Sequence, residues 1–196
     1  MKHTLVALVE DKPGVLNRVA SLFRRRSFNI ESLTVGRTHQ PDISRMTILV
    51  DTEQTEPALV EANLSKLINV IDVQDVTHLP SVMRDLALIK VRADASALAE
   101  LNQLANIFRA NIVDVSTGSV IIEATGDEEK IDGLLDVLRP RGIIEMVRTG
   151  QVAMVRGTTH SYDTAPALQS AATPKNGNGN GNGNGHGHSA DDVGSV

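Results

Sequence analysis

Residues 4–32 constrain the fold more than any other part of the chain, because they predict four elements in close succession. Their sequence is TLVALVEDKPGVLNRVASLFRRRSFNIES. The apolar run at residues 5–9 is continuous, as in a buried central strand. Apolar residues then recur at helical spacing over residues 15–23, and three arginines follow where cations suit the end of a helix. The pattern predicts a strand, a tight corner, a helix and a returning strand.

A polar corner, EDKPG at residues 10–14, joins the predicted strand to the predicted helix. The first amide groups of a helix lack intrahelical partners and lie at the positive end of its dipole, so a carboxylate can dock there. Asp11 and Asn29 could flank this spot, and Val15, Leu16 and Ile30 are apolar neighbours. These groups suit a small amino acid, since they offer partners for its carboxylate, its ammonium group and its side chain.

The same corner also has a purely structural interpretation. Asp11 would cap the helix, Pro13 would lie near its first position, and Gly14 would allow tight packing. The corner is not a nucleotide-binding loop, because the chain contains neither G-x-G-x-x-G nor G-x-x-x-x-G-K-[ST]. These residues alone leave both interpretations open.

The composition argues against several classes of protein. Aromatic residues make up 2% of the chain and the net charge is −5, so a nucleic-acid partner is not expected. No apolar run approaches the roughly 20 residues of a membrane span, and no signal-peptide pattern opens the chain. The absence of cysteine excludes disulfides and thiol chemistry. We therefore expect a cytoplasmic protein that binds neither nucleic acid nor membranes.

The order strand–helix–strand–strand–helix–strand is predicted twice. In the first copy, the second helix is marked by Val60, Leu64, Leu67 and Ile68. In the second copy, the elements fall at residues 86–91, 97–108, 111–115, 120–124, 131–138 and 143–147. Asn29 and Asn111 open the corresponding strands of the two copies. We predict an α+β protein with two ferredoxin-like βαββαβ domains, at residues 1–79 and 80–157.

Each predicted domain has a four-stranded antiparallel sheet with two helices on one face. The other face and the sheet edges would be exposed, so we expect dimers joined edge to edge. Residues 158–196 contain the run NGNGNGNGNGHGH and are predicted to form a disordered tail. His186 and His188 are too few for a metal site there, and no metal site is predicted elsewhere.

Three classes of function fit a βαββαβ unit. An RNA-binding sheet needs aromatic residues on its central strands, which this chain lacks. An enzyme needs a catalytic cluster, but the chain has no G-x-S-x-G, no H-E-x-x-H and only scattered histidines in its folded part. The acidic run at residues 127–129 opens a helix, where it complements the dipole. No catalytic residue is predicted, and a ligand-sensing regulatory module remains.

Several motifs make the family resemblance specific. The stretches EDKPGVLNRVASLFRRRSFNIESLTVG and DISRMTILV resemble the N-terminal ACT domain of acetolactate (acetohydroxyacid) synthase small subunits. The resemblance continues through IFRANIVDV and RTGQVAMVRG, and it covers roughly residues 2–157. The PGVL corner occurs in many ACT-type amino-acid sensors, whereas NIESLTVG together with SRMTI is much more specific to this family.

The resemblance implies a regulatory subunit without chemistry of its own. Such subunits bind a thiamine-diphosphate-dependent catalytic subunit, raise its activity and make it sensitive to a branched-chain amino acid, usually valine. Thiamine diphosphate, Mg and FAD are expected on that catalytic partner, and no cofactor is expected on this chain.

The resemblance also implies that effector sites lie between two ACT domains of a homodimer. One chain would supply the corner, matching Asp11, Pro13, Gly14, Val15 and Leu16, and the other would supply Asn29 and Ile30. Some members carry Asn in place of Asp11.

The second predicted domain lacks a Pro-Gly corner and carries Asp94-Ala95-Ser96 there instead. It is therefore interpreted as a contact for the catalytic subunit. Two alternatives stay open: a free-standing ACT-type amino-acid sensor for another enzyme, and a dimerisation module that binds no amino acid.

Overall fold

The computed structural model describes residues 1–51 and 56–157, which form two antiparallel sheets, each with two helices. The first sheet and its helices comprise β1 (Lys2–Glu10), α1 (Val15–Arg26), β2 (Asn29–Arg37), β3 (Ile43–Asp51), α2 (Pro57–Leu64) and β4 (Val70–Asp75). The second group comprises β5 (Ser81–Ala93), α3 (Leu98–Ile107), β6 (Asn111–Ser116), β7 (Gly118–Gly126), α4 (Glu128–Leu138) and β8 (Ile143–Arg148). A last strand, β9 (Val152–Val155), follows β8.

The N-terminal sheet has the strand order β2-β3-β1-β4, and all its neighbours are antiparallel. Its central strand β1 is buried from His3 to Val9, as the continuous apolar run predicted. Leu5, Ala7 and Val9 face a core that includes Val19 and Phe23 of α1. Alternate residues of β1 face the opposite side of the sheet, so both faces of this strand are covered.

The C-terminal sheet repeats this arrangement with the order β6-β7-β5-β8. Ala87, Ile89 and Val91 of the central strand pack against Leu101 of α3 and Leu134 of α4. Both sheets therefore have the split βαβ topology, and the predicted α+β fold with two ferredoxin-like βαββαβ units is confirmed. The predicted tail at residues 158–196 lies outside the described residues.

The predicted second helix of the first unit is too long by one turn. Helix α2 ends at Leu64, and Ile68 lies outside it with 84% of its surface exposed. Two tight turns replace the last helical turn: the Leu67 N–H donates to the Leu64 carbonyl at 3.0 Å, and the Val70 N–H donates to the Leu67 carbonyl at 2.9 Å. Apolar spacing alone did not show where these turns begin.

Strand β9 was not predicted, and it changes the expected open face of the N-terminal sheet. Its residues pair with Ser81–Arg84 at the start of β5. Ala153 of β9 packs against Val6 and Val76 on the sheet face opposite the helices. The chain therefore covers part of a face that we expected to be open, whereas the sheet edge at β2 remains unpaired within the described residues.

A partly buried carboxylate at the end of β4 should make the stability of the N-terminal unit depend on pH. The Asp75 carboxylate accepts hydrogen bonds from the Thr77 N–H at 2.9 Å and from the Thr77 hydroxyl, and it contacts His3 Nδ1 at 2.8 Å. Burial alone would raise the pKa of Asp75, but the bonds from Thr77 and His3 outweigh it and lower this pKa below 3.8.

We expect Asp75→Asn to lower the free energy of unfolding by about 1 kcal/mol at pH 6. Because a depressed carboxyl pKa stabilises the fold above the unfolded-state value, this contribution is complete above about pH 4 and is lost as the pH falls through the folded-state pKa. Urea unfolding at pH 6 and near pH 3 would measure it, with Asp72→Asn on the same strand as the control. If the difference in free energy of unfolding between wild type and Asp75→Asn grew towards low pH, the ionised Asp75 carboxylate would not be its source.

Candidate functional site

The corner between β1 and α1 is a tight turn that ends at Gly14. The Lys12 N–H donates to the Glu10 carbonyl at 2.9 Å, and the Val15 N–H donates to the Lys12 carbonyl at 3.3 Å. Gly14 is the N-cap of α1 and adopts the left-handed region, with φ +85°. A Cβ at this position would meet no atom within 4 Å, so glycine is required by the backbone conformation and not by lack of space.

The proposed capping role of Asp11 is wrong. Its N–H donates to the Asp42 carbonyl at 2.7 Å, and its carboxylate pairs with Arg37 Nε at 3.1 Å. Both partners flank the β2–β3 turn, which holds Asp11 away from the helix. Pro13 also lies outside α1, one residue before the N-cap Gly14.

No side chain of the described residues caps α1. Gly14, Leu16 and Asn17 are exposed at its first turn. Because the first amides of a helix have no intrahelical partner, this turn presents N–H donors at the positive end of the dipole. The corner therefore still offers backbone N–H donors to an anion, as the sequence predicted. Asp11 does not cap them, because its carboxylate pairs with Arg37.

The three apolar residues predicted near the corner lie in different environments. Val15 is 4% exposed and packs in the core beneath α1, so only its backbone faces the corner. Leu16 is 46% exposed at the surface. Ile30 is half-buried near the start of β2 and packs against the core from there. Of these three residues, only Leu16 offers an exposed apolar side chain at the corner within one chain.

Asn29 and Ile30 lie at the opposite end of α1 from the corner. Helix α1 contains 12 residues, which corresponds to a length of roughly 18 Å. Along β2, Asn29 pairs with Asp51 of β3, whereas Arg37 at the other end pairs with Ser44. The structure of one chain thus groups Asp11, Pro13, Gly14, Val15 and Leu16, and it holds Asn29 and Ile30 apart from them.

Polar contacts that the sequence did not indicate hold the corner in place. Glu10 accepts a hydrogen bond from Asn69 Nδ2 at 2.5 Å and pairs with Lys12 Nζ at 3.1 Å. These two partners lower the pKa of the Glu10 carboxyl. Asn69 also accepts a hydrogen bond from Arg18 of α1. Asn69 and Arg37 are distant from the corner in sequence, so no local motif pointed to them.

Two family models match the chain, one to each half. The model described as AHAS small subunit-like ACT domain matches residues 5–72, and the model described as small subunit of acetolactate synthase matches residues 84–157. Among curated relatives, a probable acetolactate synthase small subunit of Archaeoglobus fulgidus is 56% identical over 157 residues, which is 80% of this chain and 98% of the relative. This chain belongs to the acetolactate synthase small subunit family.

Further relatives support this assignment. An acetolactate synthase small subunit of Mycolicibacterium smegmatis is 55% identical, with 79% of this chain and 91% of the relative covered. The crystal structure of the acetolactate synthase small subunit from Thermotoga maritima superimposes with a TM-score of 0.75 at 41% identity. The match covers 81% of this chain and 99% of that chain. The sequence-based resemblance and the ACT fold of the first half are thereby confirmed.

In this family member, a link segment at residues 149–153 crosses the face of the N-terminal sheet. The Gln151 N–H donates to Ser32 Oγ at 3.2 Å, and Thr34 Oγ1 donates to the Thr149 carbonyl at 3.3 Å. Arg45 Nη2 donates to the Ala153 carbonyl at 2.7 Å. Strand β2, which begins at Asn29, is thus bonded directly to the C-terminal half of the chain.

A charged cleft of about 530 Å³ lies beside the link segment. Lys2 Nζ pairs there with Glu31 at 2.9 Å and with Glu128 of α4 at 3.3 Å, and both carboxylates raise the pKa of Lys2. Asp85 is 5% exposed, and its Oδ2 binds Arg148. Burial alone would lower the pKa of Arg148, but Asp85 outweighs it and the pKa is raised.

Gly150 of the link segment approaches β2 closely. It adopts φ +84°, and a Cβ there would lie 2.3 Å from Ser32 Oγ. We expect Gly150→Ala to lower the free energy of unfolding by about 2–3 kcal/mol, because the substitution adds backbone strain and a clash. Gly118→Ala is the matched control, since Gly118 has φ +88° and no neighbour within 4 Å, and about 1 kcal/mol is expected there.

Urea unfolding of both variants measures this difference. Adding Ser32→Ala to Gly150→Ala should recover part of the lost stability, because it removes the clashing hydroxyl. Equal losses for Gly150→Ala and Gly118→Ala would show that the contact with Ser32 has no energetic role.

Two further findings concern the described residues alone. In residues 1–51 and 56–157, no group of three or more histidine, aspartate or glutamate side chains could hold a metal ion. None of the helices in these ranges is long and apolar enough to cross a membrane.

Proposed function

We propose that this chain is the regulatory subunit of acetolactate synthase in branched-chain amino-acid biosynthesis. It binds the thiamine-diphosphate-dependent catalytic subunit, raises its activity and confers feedback inhibition by valine or another branched-chain amino acid. It contributes no catalytic residue and no cofactor, since thiamine diphosphate, Mg and FAD belong to the catalytic partner. The observation that carries the proposal is the high identity to named small subunits over both halves of the described chain.

The effector site is proposed to form between two copies of the chain. Strand β2 is the outermost strand of its sheet, with Asn29 at one end and Arg37 at the other. If two copies pair antiparallel along this edge, the start of β2 in one copy lies beside the end of β2 in the other. Asn29 and Ile30 of one copy then lie beside Arg37 of the other copy, which binds Asp11 of its own corner. This arrangement supplies the residues that a single chain holds apart.

Valine fits the groups of such a shared site. Its carboxylate would accept hydrogen bonds from the exposed amides at the first turn of α1, near Gly14 and Leu16. Its isopropyl group would contact Leu16, which is 46% exposed, and Ile30 of the other copy. The Asp11 carboxylate and the Asn29 amide oxygen would receive the ammonium group. Because two copies share the site, valine would stabilise one dimer arrangement over another, commonly by about 1–3 kcal/mol.

The C-terminal unit is proposed to contact the catalytic subunit. The face of its sheet opposite α3 and α4 carries Leu86, Leu88 and Val147, which are 36%, 39% and 56% exposed. Neighbouring exposed apolar residues on one sheet face are typical of a surface that binds another protein.

The test is the rate of acetolactate synthesis by the cognate catalytic subunit, measured with and without this chain over a range of valine concentrations. We expect the chain to stimulate the rate and valine to suppress the stimulated rate. Absence of both effects would contradict the proposal and favour a free-standing amino-acid sensor that serves another enzyme.

A further inference from the structure

A second groove lies between the N-terminal sheet and the β5–β9 ribbon, and its lining touches the corner through Arg37, which pairs with Asp11. Its volume is about 480 Å³, within the range of small-molecule sites. We name it the arginine groove, and its principal side chains are Arg37, Arg45, Arg84, Val82, Val152 and Met154. Val82 pairs with Met154 and Arg84 with Val152 across the ribbon, so these four residues belong to one local surface.

The arginine groove is positively charged. Three guanidinium groups line it, and none of the described residues in its lining is acidic. Arg37 is paired with Asp11, Arg45 donates to the Ala153 carbonyl, and Arg84 donates to the Met83 carbonyl at 2.6 Å. Each guanidinium has five N–H donors, so these contacts leave donors available for an anion.

The apolar part of the groove restricts the ligand further. Met154 and Val152 are 66% and 48% exposed, which leaves aliphatic surface beside the guanidinium groups. A planar carboxylate matches the fork of a guanidinium, and an aliphatic body would cover Met154 and Val152. An α-ammonium group would find no carboxylate in the lining, in contrast to the corner with Asp11.

We propose that the arginine groove binds a small aliphatic carboxylate that has no ammonium group. The carboxylate accepts hydrogen bonds from Arg84 and Arg45, and the aliphatic chain lies against Val82, Val152 and Met154. This ligand differs in class from the amino-acid effector, and its site contains neither Asn29 nor the first turn of α1.

The test is isothermal titration calorimetry of the full chain with 4-methylpentanoate. We expect 4-methylpentanamide and leucine to bind at least about tenfold more weakly, because the amide lacks the charge and leucine carries an unpartnered ammonium group. Arg84→Gln should weaken binding of 4-methylpentanoate about tenfold, and Met154→Glu should abolish it. Both residues are exposed, so these substitutions leave the core unchanged.

The controls separate this site from the proposed effector site. Arg139→Gln removes an arginine outside the groove that is 76% exposed and pairs with Asp136. Asn29→Ala alters the proposed effector site. Both substitutions should leave binding of 4-methylpentanoate unchanged. No binding at millimolar concentration would overturn the proposal. Binding that Asn29→Ala removes, and that Arg84→Gln and Met154→Glu leave unchanged, would overturn it as well, because the probe would then occupy the corner.

Discussion

Asn29→Ala and Gly14→Asp are expected to abolish valine feedback at the valine concentrations that inhibit the unsubstituted complex, while leaving stimulation of the catalytic subunit intact. Asn29→Ala removes an amide that the second copy contributes to the proposed site. Gly14→Asp places a carboxylate where the carboxylate of valine docks, at a position whose φ of +85° favours glycine. Loss of a hydrogen bond to a charged group costs about 1.5–3 kcal/mol, so the valine concentration for half-inhibition should rise at least about tenfold.

The matched control for this prediction is Asn111→Ala. Asn111 opens β6 as Asn29 opens β2, but it donates to Glu123 at 3.3 Å within its own sheet. It should leave both the stimulation and the valine dependence unchanged. Measurement of acetolactate formation against valine concentration, with calorimetric binding of valine to the free chain, distinguishes the cases. Unchanged valine affinity in Asn29→Ala would place the effector elsewhere.

Removal of Arg148 is expected to cause a large loss of stability. Asp85 is 5% exposed, and Arg148 provides the ion pair to its Oδ2, while its Oδ1 has no hydrogen-bond partner among the described residues. Arg148→Met leaves this carboxylate buried without its positive partner. Breaking a buried pair in this way costs about 3–5 kcal/mol, and Arg148 is 25% exposed, so we expect a value of about 3 kcal/mol.

Two variants test whether this loss comes from the unpaired charge. The double variant Asp85→Leu with Arg148→Met should regain most of the stability, because an apolar pair of similar volume needs no counter-charge. Lys2→Met breaks ion pairs of a side chain that is 47% exposed and should cost no more than about 1 kcal/mol. Urea unfolding measures all three variants. A double variant as unstable as Arg148→Met would show that the shape of the arginine, and not the charge, is needed.

Local periodicity of apolar residues predicted most helices and strands of the fold, and individual elements show where it succeeded and where it failed. The apolar run at residues 5–9 correctly indicated a buried central strand, since β1 lies between β3 and β4. Strand β9 was missed because it has four residues and forms only through pairing with Ser81–Arg84, which is about 70 residues earlier in sequence. Ile68 was misassigned because helical spacing continued into a segment that turns.

The candidate site was predictable in its composition but not in its geometry. The Pro-Gly corner indicated an anion site at a helix start, and the structure leaves that first turn without a side-chain cap. The ion pair between Asp11 and Arg37 depends on the β2–β3 turn, which no local pattern specified. The length of α1 separates Asn29 from Gly14 within one chain, and this much follows from counting helical residues.

Strand β5 has a mechanical consequence for the whole molecule. Its 13 residues form one continuous strand, whose start pairs with β9 over the N-terminal sheet and whose remainder is the centre of the C-terminal sheet. The connection from β4 is short, and Leu79 and Arg156 fix it through hydrogen bonds to Val76 and Pro80. We therefore expect the two halves to move together, because an independent rotation of one half would have to break the pairing of β5 with β9 or bend β5 itself.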